Sequence, residues 1–273
     1  EGMLVTGSRS MLLNILRCVE KAGLEISDIV LQPLAAGEIA LSQDEKNLGA
    51  ALIDIGGGST TVSFFEDGFL KGTTVLPIGG NNITKDISIV LRTTTEDADK
   101  VKIKYGHAFY EMASEEEVFQ IPVIGSNQKQ EFSQVDIAEI IEARLAEIFE
   151  LAQSELRKMG ARDLPGGYVL TGGVANMHGI LELAQVIFQN RVRIAIPDYI
   201  GVREPQYTTA VGIIKYAYKN ARLQGKSVET AVVPVEHKEP RMQKQTTKIK
   251  TKNQHPEEGL TSKMKKFLGS FFE

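Results

Sequence analysis

The sequence predicts a mixed α/β fold. Three observations support this prediction: strand-like runs are followed by helical runs, two of the strands end in glycine turns, and the helical runs repeat apolar residues at helical spacing. With 273 residues, of which 42% are hydrophobic and 24% are charged, the chain can bury a substantial core, and its length suggests one or two domains. The single cysteine excludes a disulfide framework and indicates a reducing, cytoplasmic setting.

The first predicted elements are a helix and a three-stranded meander. The opening run EGMLVTGSRS has the pattern of a strand already under way, so we expect the sequence to lack an N-terminal portion. A helix over residues 10–22 is expected to end at Gly23 and to hold the thiol of Cys18 in the protein interior. Three strands follow, ALIDIGG, TTVSFFEDG and FLKGTTVLPIG, with Asp67-Gly68 as a turn signal between the last two.

The remaining predicted elements are mostly helical. Two helical runs come next, NITKDISIVL and EDADKVKIKYG, and then two short strand-like pieces, VFQIPVI and EFS. The long helix that follows carries apolar residues at positions 137, 141, 145, 148, 152, 156 and 159, which predicts a continuous stripe facing the core. The body then continues with strand YVLTGG, helix HGILELAQVIF, strand RVRIAIP and helix TTAVGIIKYAYKNA.

Charge divides the chain into an acidic body and a basic tail. Residues 224–273 hold ten Lys or Arg against six Asp or Glu, a net of +4, which leaves −8 for residues 1–223 because the whole chain carries −4. The acidic body argues against nucleic-acid binding, whereas the basic tail favours an anionic surface as its target. Residues 224–257 are polar, contain three prolines and lack an apolar period, so they are predicted to be a disordered linker.

The terminal run EGLTSKMKKFLGSFFE, residues 258–273, predicts an amphipathic helix. On a helical wheel one sector is apolar and the other carries lysines. The apolar sector contains Leu260, Met264, Phe267, Leu268, Phe271 and Phe272, and the polar sector contains Lys263, Lys265 and Lys266. This pattern is typical of a helix lying in the membrane interface, and the segment is too short to span a bilayer. The alternative is a helix that docks on the protein's own body.

The run DIGGGST, residues 54–60, joins the first two strands of the meander. Because only glycine lets a ligand approach the backbone so closely, its N–H groups can face phosphate oxygens. The candidate phosphate ligands are Gly56, Gly57, Gly58, Ser59 and Thr60. Asp54 could orient a water of a bound Mg²⁺, an ion that takes few carboxylates and keeps several waters. Taken alone, the run is equally compatible with a β-hairpin that contains a glycine bulge.

A second glycine turn, VLTGGVANM at residues 169–177, lies between a strand and a helix. Gly172 and Gly173 would let an adenine ring or a ribose lie flat against the backbone, with Asn176 and Met177 at the edge of the pocket. This turn is a weak signal by itself. Its combination with DIGGGST raises the probability of a nucleotide site.

The two turns, together with TTAVGII, resemble the phosphate-2, adenosine and connect-2 motifs of the actin, Hsp70 and sugar kinase superfamily, here residues 54–60, 171–177 and 208–214. The segments LPIGGNNITKDI, ADKVKIKYG and EARLAEIF, and a terminal helix after a linker, are similar to the bacterial cell-division family FtsA. The resemblance covers nearly the whole chain. It implies an actin-like, ribonuclease H-like ATPase fold, mainly its second half.

The FtsA resemblance also implies a division of the chain. The expected segments are the end of the family's extra subdomain (1–26), the core subdomain (27–83 and 164–206), an inserted FtsZ-contacting subdomain (84–163), a helix returning to the first half (207–223), the linker (224–257) and the membrane helix (258–273). The family's first phosphate loop would lie in a part that this sequence lacks, so tight ATP binding is expected to need residues outside it.

Two further sites follow from the resemblance. Asp99 and Lys102 match the acidic residue and the lysine that approach the ribose, although the family more often has Glu; the alternative is a solvated ion pair on a helix. The second candidate surface contains Ile140, Arg144, Glu147 and Leu151 on the long helix, where the family meets the C-terminal tail of FtsZ. Its alternative is likewise a solvated charge pair.

The implied function is an adaptor that binds ATP with Mg²⁺, self-associates, tethers the FtsZ ring to the cytoplasmic face of the membrane at the division site and recruits later divisome proteins. At most weak ATPase activity is expected. The alternatives are a small-molecule kinase or phosphatase of the same superfamily, or a pilus-assembly or shape-determining actin-like protein. The four histidines show no metal spacing, and no Ser/His/Asp set can be assembled, so no nucleophilic or metal catalysis is predicted.

Overall fold

The computed structural model describes residue 4 and residues 6–126 and 128–225. The contacts within the chain divide it into the units Glu1–Val228 and Glu229–Glu273, and every described residue lies in the first unit. The predicted terminal helix, and the predicted linker from residue 226 onwards, lie outside the described residues. The subdivision of the body at residues 84–163 stays a proposal.

A five-stranded sheet, in the order β3-β2-β1-β6-β7, forms the centre of the body. Its strands are β1 (Ala50–Ile55), β2 (Thr60–Glu66), β3 (Phe69–Leu76), β6 (Gly167–Thr171) and β7 (Val192–Ile194). The first three strands are antiparallel, whereas β6 runs parallel to both β1 and β7. The predicted meander is therefore confirmed. Asp67 and Gly68 both have positive φ, 54° and 82°, which suits the tight turn between β2 and β3.

Helices cover both faces of this sheet. They are α1 (Arg9–Lys21), α2 (Gln32–Ala40), α3 (Gln43–Leu48), α4 (Gly80–Val90), α5 (Thr95–Tyr105), α6 (Gln134–Lys158), α7 (Ile180–Phe188) and α8 (Thr208–Leu223). A separate hairpin consists of β4 (Val118–Pro122) and β5 (Lys129–Ser133). The helices α2 and α8 pack closely together, since a Cβ on Gly212 would lie 2.0 Å from the carbonyl oxygen of Ala35.

The sheet separates two apolar clusters because successive strand side chains point to opposite faces. Ile53 and Ile55 belong to the larger cluster, and Leu52 belongs to the smaller cluster under α2. The predicted stripe of α6 enters the larger cluster: Ile137, Ile141, Leu145, Ile148, Ala152 and Leu156 are all at most 1% exposed. The side chain of Ser133 accepts a hydrogen bond from the amide of Asp136 and so caps the start of this helix.

The predicted burial of Cys18 is wrong for the described residues. The helix α1 forms near its expected bounds, but it buries none of its residues, and the Cys18 side chain is exposed. The apolar face is also uncovered, with Met11 67% and Ile15 61% exposed. Apolar spacing predicts a helix and its preferred face, but it does not specify which element covers that face.

Candidate functional site

The first glycine turn is fixed by the start of α4. Gly80 donates its backbone N–H to the carbonyl of Gly56 at 2.9 Å, and Asn81 donates to the carbonyl of Gly57 at 2.7 Å. A Cβ on Gly79 would lie 2.5 Å from the Gly56 carbonyl oxygen, so the chains approach more closely than a side chain would allow. The loop between β1 and β2 is therefore held rigidly against a helix N-terminus.

Part of the hydrogen-bonding capacity of this turn is already used. The N–H of Gly56 donates to the carbonyl of Ser59 at 3.0 Å, which closes the turn on itself. The buried hydroxyl of Thr60, predicted as a phosphate donor, instead donates to the carbonyl of Ile78 at 2.8 Å. Gly57 and Gly58 are exposed. Of the predicted phosphate ligands, Thr60 is therefore turned inward, because its strand position points its side chain into the core.

The second glycine turn packs against the end of β1. Gly172 has φ +91°, and a Cβ there would lie 2.4 Å from Oδ1 of Asp54 and 2.5 Å from the carbonyl oxygen of Ile55. The chain then enters a short 3₁₀ helix, Gly173–Asn176. Because β1 and β6 are parallel neighbours, their carboxyl ends bring the two glycine turns to the same edge of the sheet.

A cavity of about 540 Å³ lies beside these turns. Five predicted site residues line it, namely Gly57, Lys102, Gly173, Asn176 and Met177. The lining also contains Ile103, His178, Glu204 and Gln206, which sequence analysis did not identify. Glu204 precedes the 3₁₀ turn Pro205–Tyr207, and Gln206 lies within it. This turn comes immediately before the TTAVGII motif, and that proximity was the signal that could have identified both residues.

Lys102 provides a positive charge at this cavity. Its Nζ donates to Oδ1 of Asp99 and to the hydroxyl of Thr84, both at 2.7 Å, and to the carbonyl of Gly80 at 3.3 Å. The Lys102 side chain is only 13% exposed. The hydrogen bond from Lys102 holds the pKa of Asp99 below its ordinary value. Asp99 does not line the cavity. Its role in this structure is to orient the ammonium group of Lys102 through their hydrogen bond.

Asp54 is hydrogen-bonded within the protein. Its Oδ2 accepts from Nε2 of Gln32 at 2.6 Å and from the hydroxyl of Thr209 at 3.0 Å. Burial raises the pKa of Asp54 above its ordinary value, although both hydrogen bonds oppose the shift. Gln32 was not among the predicted site residues, and its amide oxygen also accepts from the hydroxyl of Thr61 at 2.9 Å. The available signal was a polar residue before Pro33 at the start of a mostly apolar helix.

A groove of about 610 Å³ lies along the boundary between α4 and α6. It is lined by Asp86, Ile89, Val90, Glu139, Ile140, Ala143, Arg144 and Glu147. Three of the four residues predicted as an FtsZ contact, Ile140, Arg144 and Glu147, belong to this lining. The fourth, Leu151, is 40% exposed and lies outside it.

The predicted charge pair between Arg144 and Glu147 is present, but Arg144 has a second partner. Arg144 Nε donates to Oδ2 of Asp86 at 2.6 Å, and Nη2 donates to Oδ1 at 3.0 Å. Its Nη1 donates to Glu147. The expectation of a pair on an exposed flank therefore needs correction, because Arg144 is only 27% exposed and is bonded across to α4.

The described part of the chain contains neither a metal-binding cluster nor a membrane-spanning helix. Among residues 4, 6–126 and 128–225, no three His, Cys, Asp or Glu side chains cluster so that they could hold a metal ion. No helix within those same ranges combines the length and the apolar character needed to cross a membrane.

Comparison with known families and curated proteins gives one consistent result. The family model described as "Cell division protein FtsA" matches residues 51–212. FtsA of Bacillus subtilis (strain 168) is 55% identical over 289 residues, which covers 100% of this chain and 65% of that protein. FtsA of Enterococcus faecalis is 44% identical over 79% of this chain and 49% of its own length. The chain thus spans about half to two thirds of these relatives.

Solved structures agree on the architecture. MreB5 of Spiroplasma citri bound to AMPPNP superposes with a TM-score of 0.66 at 21% identity, over 80% of this chain and 68% of that chain. The PilM-PilN type IV pilus biogenesis complex gives a TM-score of 0.58 at 17% identity, over 75% of this chain and 57% of that chain. At such identities the likeness shows only the fold. The predicted actin-like fold is confirmed.

Proposed function

The chain belongs to the FtsA family of cell-division proteins, and from this premise we propose that it acts as an actin-like adaptor that binds ATP and links FtsZ to the membrane. The observation that carries the proposal is the 55% identity to the Bacillus subtilis protein along the entire chain. A shared fold alone would not require an alignment that also covers the basic tail.

Nucleotide binding is supported by the cavity beside the two glycine turns. Backbone N–H groups of Gly57 and Gly58 would bind phosphate oxygens, and Lys102 would add a positive charge. Ile103 and Met177 would contact the base through apolar surface. MreB5, which shares the fold, has been solved with ADP and with AMPPNP, and this agrees with the proposal.

The donor groups around Asp54 fit a magnesium ion that retains most of its waters. They comprise one carboxylate with neighbouring hydroxyl and amide groups, and Mg²⁺ takes few protein ligands beside phosphate oxygens. Asp54 would accept a hydrogen bond from a metal-bound water. When bound, the ion would neutralise phosphate charge, while Gln32 and Thr209 hold the Asp54 carboxylate in place.

We propose the groove between α4 and α6 as the partner-binding surface. Ile89 and Val90 are 62% and 59% exposed, and such exposed apolar side chains are suited to an apolar peptide segment. We propose the C-terminal tail of FtsZ as this segment. The terminal helix, residues 258–273, would bind anionic lipid at the cytoplasmic face of the membrane through its phenylalanines and lysines.

Self-association into an actin-like filament and recruitment of later divisome proteins complete the proposed role. The kinase, pilus-assembly and shape-determining alternatives are set aside because the chain belongs to the FtsA family. Its likeness to PilM and MreB5 rests on 17% and 21% identity and extends only to the fold.

Fluorescence anisotropy with a labelled C-terminal peptide of Bacillus subtilis FtsZ tests the partner assignment. We expect saturable binding with a dissociation constant of about 1–100 µM, which corresponds to a binding free energy of about −5.5 to −8 kcal/mol. A scrambled peptide of the same composition serves as control. Equal binding of the two peptides, or none, would contradict the assignment.

A further inference from the structure

We propose that Asp86 is a positioning residue of the α4–α6 groove: it holds Arg144 and so fixes how the two helices present their apolar side chains to the docked peptide. This inference rests on the proposed binding of the FtsZ tail in the groove. It assigns Asp86 a role that the sequence pattern of α6 does not suggest.

The geometry of the ion pair is suited to fixing a distance. Two nitrogens of the Arg144 guanidinium donate to the two oxygens of Asp86, at 2.6 and 3.0 Å, so the carboxylate and the planar fork are held in one relative orientation. Both side chains are partly buried, at 27% and 25% exposure. Partial burial reduces screening by water and salt, which makes this pair more constraining than a surface ion pair.

The two residues connect the apolar faces that border the groove. Asp86, Ile89 and Val90 recur at i, i+3 and i+4 on α4, so they share one face of that helix. Ile140 and Arg144 are four residues apart and share a face of α6. The ion pair between Asp86 and Arg144 thus joins the two helix faces that a peptide would contact.

Arg144 is poorly placed to recruit a carboxylate of the partner. Its guanidinium already donates to Asp86 and also to Glu147. The groove lining contains three carboxylates, Asp86, Glu139 and Glu147, against one guanidinium, which is a net charge of −2. An acidic peptide would meet this negative charge, so the occupant is an apolar segment flanked by basic residues.

The test compares three variants of the full chain for binding of the labelled FtsZ tail peptide. Asp86→Asn breaks the ion pair and should weaken binding about tenfold, since the apolar side chains lose their fixed spacing. The double variant Asp86→Arg with Arg144→Asp reverses the pair, and it should regain affinity to within about threefold of wild type because the bidentate bond forms again. Glu96→Gln breaks the exposed Lys100–Glu96 pair and should change nothing.

The experiment also includes an Ile89→Glu variant, which tests the groove itself. Melting curves and the oligomeric state are measured for each protein. Tighter or unchanged binding by Asp86→Asn, with Ile89→Glu still losing it, would overturn the positioning role alone. If the double variant melts like wild type but does not regain affinity, the positioning role of Asp86 is also overturned. Unchanged binding by Ile89→Glu, or a groove filled by a second copy of the chain, would overturn the groove assignment itself.

Discussion

Gln32 and Asp54 are joined by a hydrogen bond of 2.6 Å from Nε2 of the amide to Oδ2 of the carboxylate. Gln32 begins α2, Asp54 lies near the end of β1, and Thr209 at the start of α8 donates to the same oxygen at 3.0 Å. Three elements from distant parts of the sequence therefore meet at one carboxylate. This meeting point is next to the second glycine turn, since Oδ1 of Asp54 packs against Gly172.

Asp54 should lower stability at neutral pH. Because burial raises its pKa in the folded state above the unfolded value of 3.8, the folded protein binds this proton more tightly. The stabilisation that comes from this more tightly bound proton is therefore fully present below pH 3.8, and it is lost as the pH rises through the folded pKa.

We expect Asp54→Asn to raise the melting temperature at pH 7 by about 2–4 °C while weakening Mg-ATP binding, since it removes a half-buried charge that the proposed magnesium site would use. The difference between variant and wild type should shrink as the pH falls towards 4. Calorimetric scans at several pH values measure it. A melting difference that is independent of pH would contradict this role of the carboxylate.

Gly172→Ala should destabilise the fold strongly, by about 2–4 kcal/mol. The residue has φ +91°, and the new Cβ would collide with Asp54 and with the Ile55 carbonyl. Gly201→Ala is a matched control because Gly201 has φ +87° with nothing within 4 Å, so it should lose only about 1 kcal/mol. Urea unfolding separates the two effects. Equal losses would show that the close packing of the two turns is not important.

Lys102→Met should weaken Mg-ATP binding about tenfold, because it removes the cation beside Gly80 and leaves an apolar side chain of similar length. Lys100→Met on the same helix removes an exposed lysine paired with Glu96, and it should leave affinity unchanged. Isothermal titration gives both values. Similar affinities for the two variants would show that Lys102 does not contribute to phosphate binding.

Phe267→Glu combined with Phe271→Glu should abolish sedimentation with anionic vesicles, since the change places charge where the helix would bury apolar area. The matched control is Phe69→Glu, a change of the same type at a residue of the body that is 71% exposed. Sedimentation should also fall at high salt because the lysines are screened. Equal sedimentation of wild type and double variant would exclude residues 258–273 as the anchor.

Local patterns were enough to predict most elements of the body. The meander follows from three strand-like runs and their turn residues, and the apolar period of α6 identified its buried face. Both features depend on neighbours within a few positions, where sequence spacing translates directly into geometry. The two glycine turns were found for the same reason.

Contacts between distant elements were not predictable in this way. Asp86 and Arg144 are 58 residues apart, and Gln32 and Asp54 are 22 apart. Neither pair leaves a periodic signal, because each partner lies on a separate element whose packing decides the contact. The exposure of Cys18 has the same origin, since the α1 pattern does not specify whether another element covers it.

The central proposal is that this chain would connect FtsZ to a membrane. Co-sedimentation of Bacillus subtilis FtsZ with phosphatidylglycerol-rich vesicles tests it most directly, with the chain present, absent, or carrying either Ile89→Glu or the two phenylalanine changes. We predict that FtsZ enters the pellet only with the wild-type chain, because the groove and the terminal helix are both needed. Sedimentation of the chain while FtsZ stays in the supernatant, as with vesicles alone, would contradict the adaptor function.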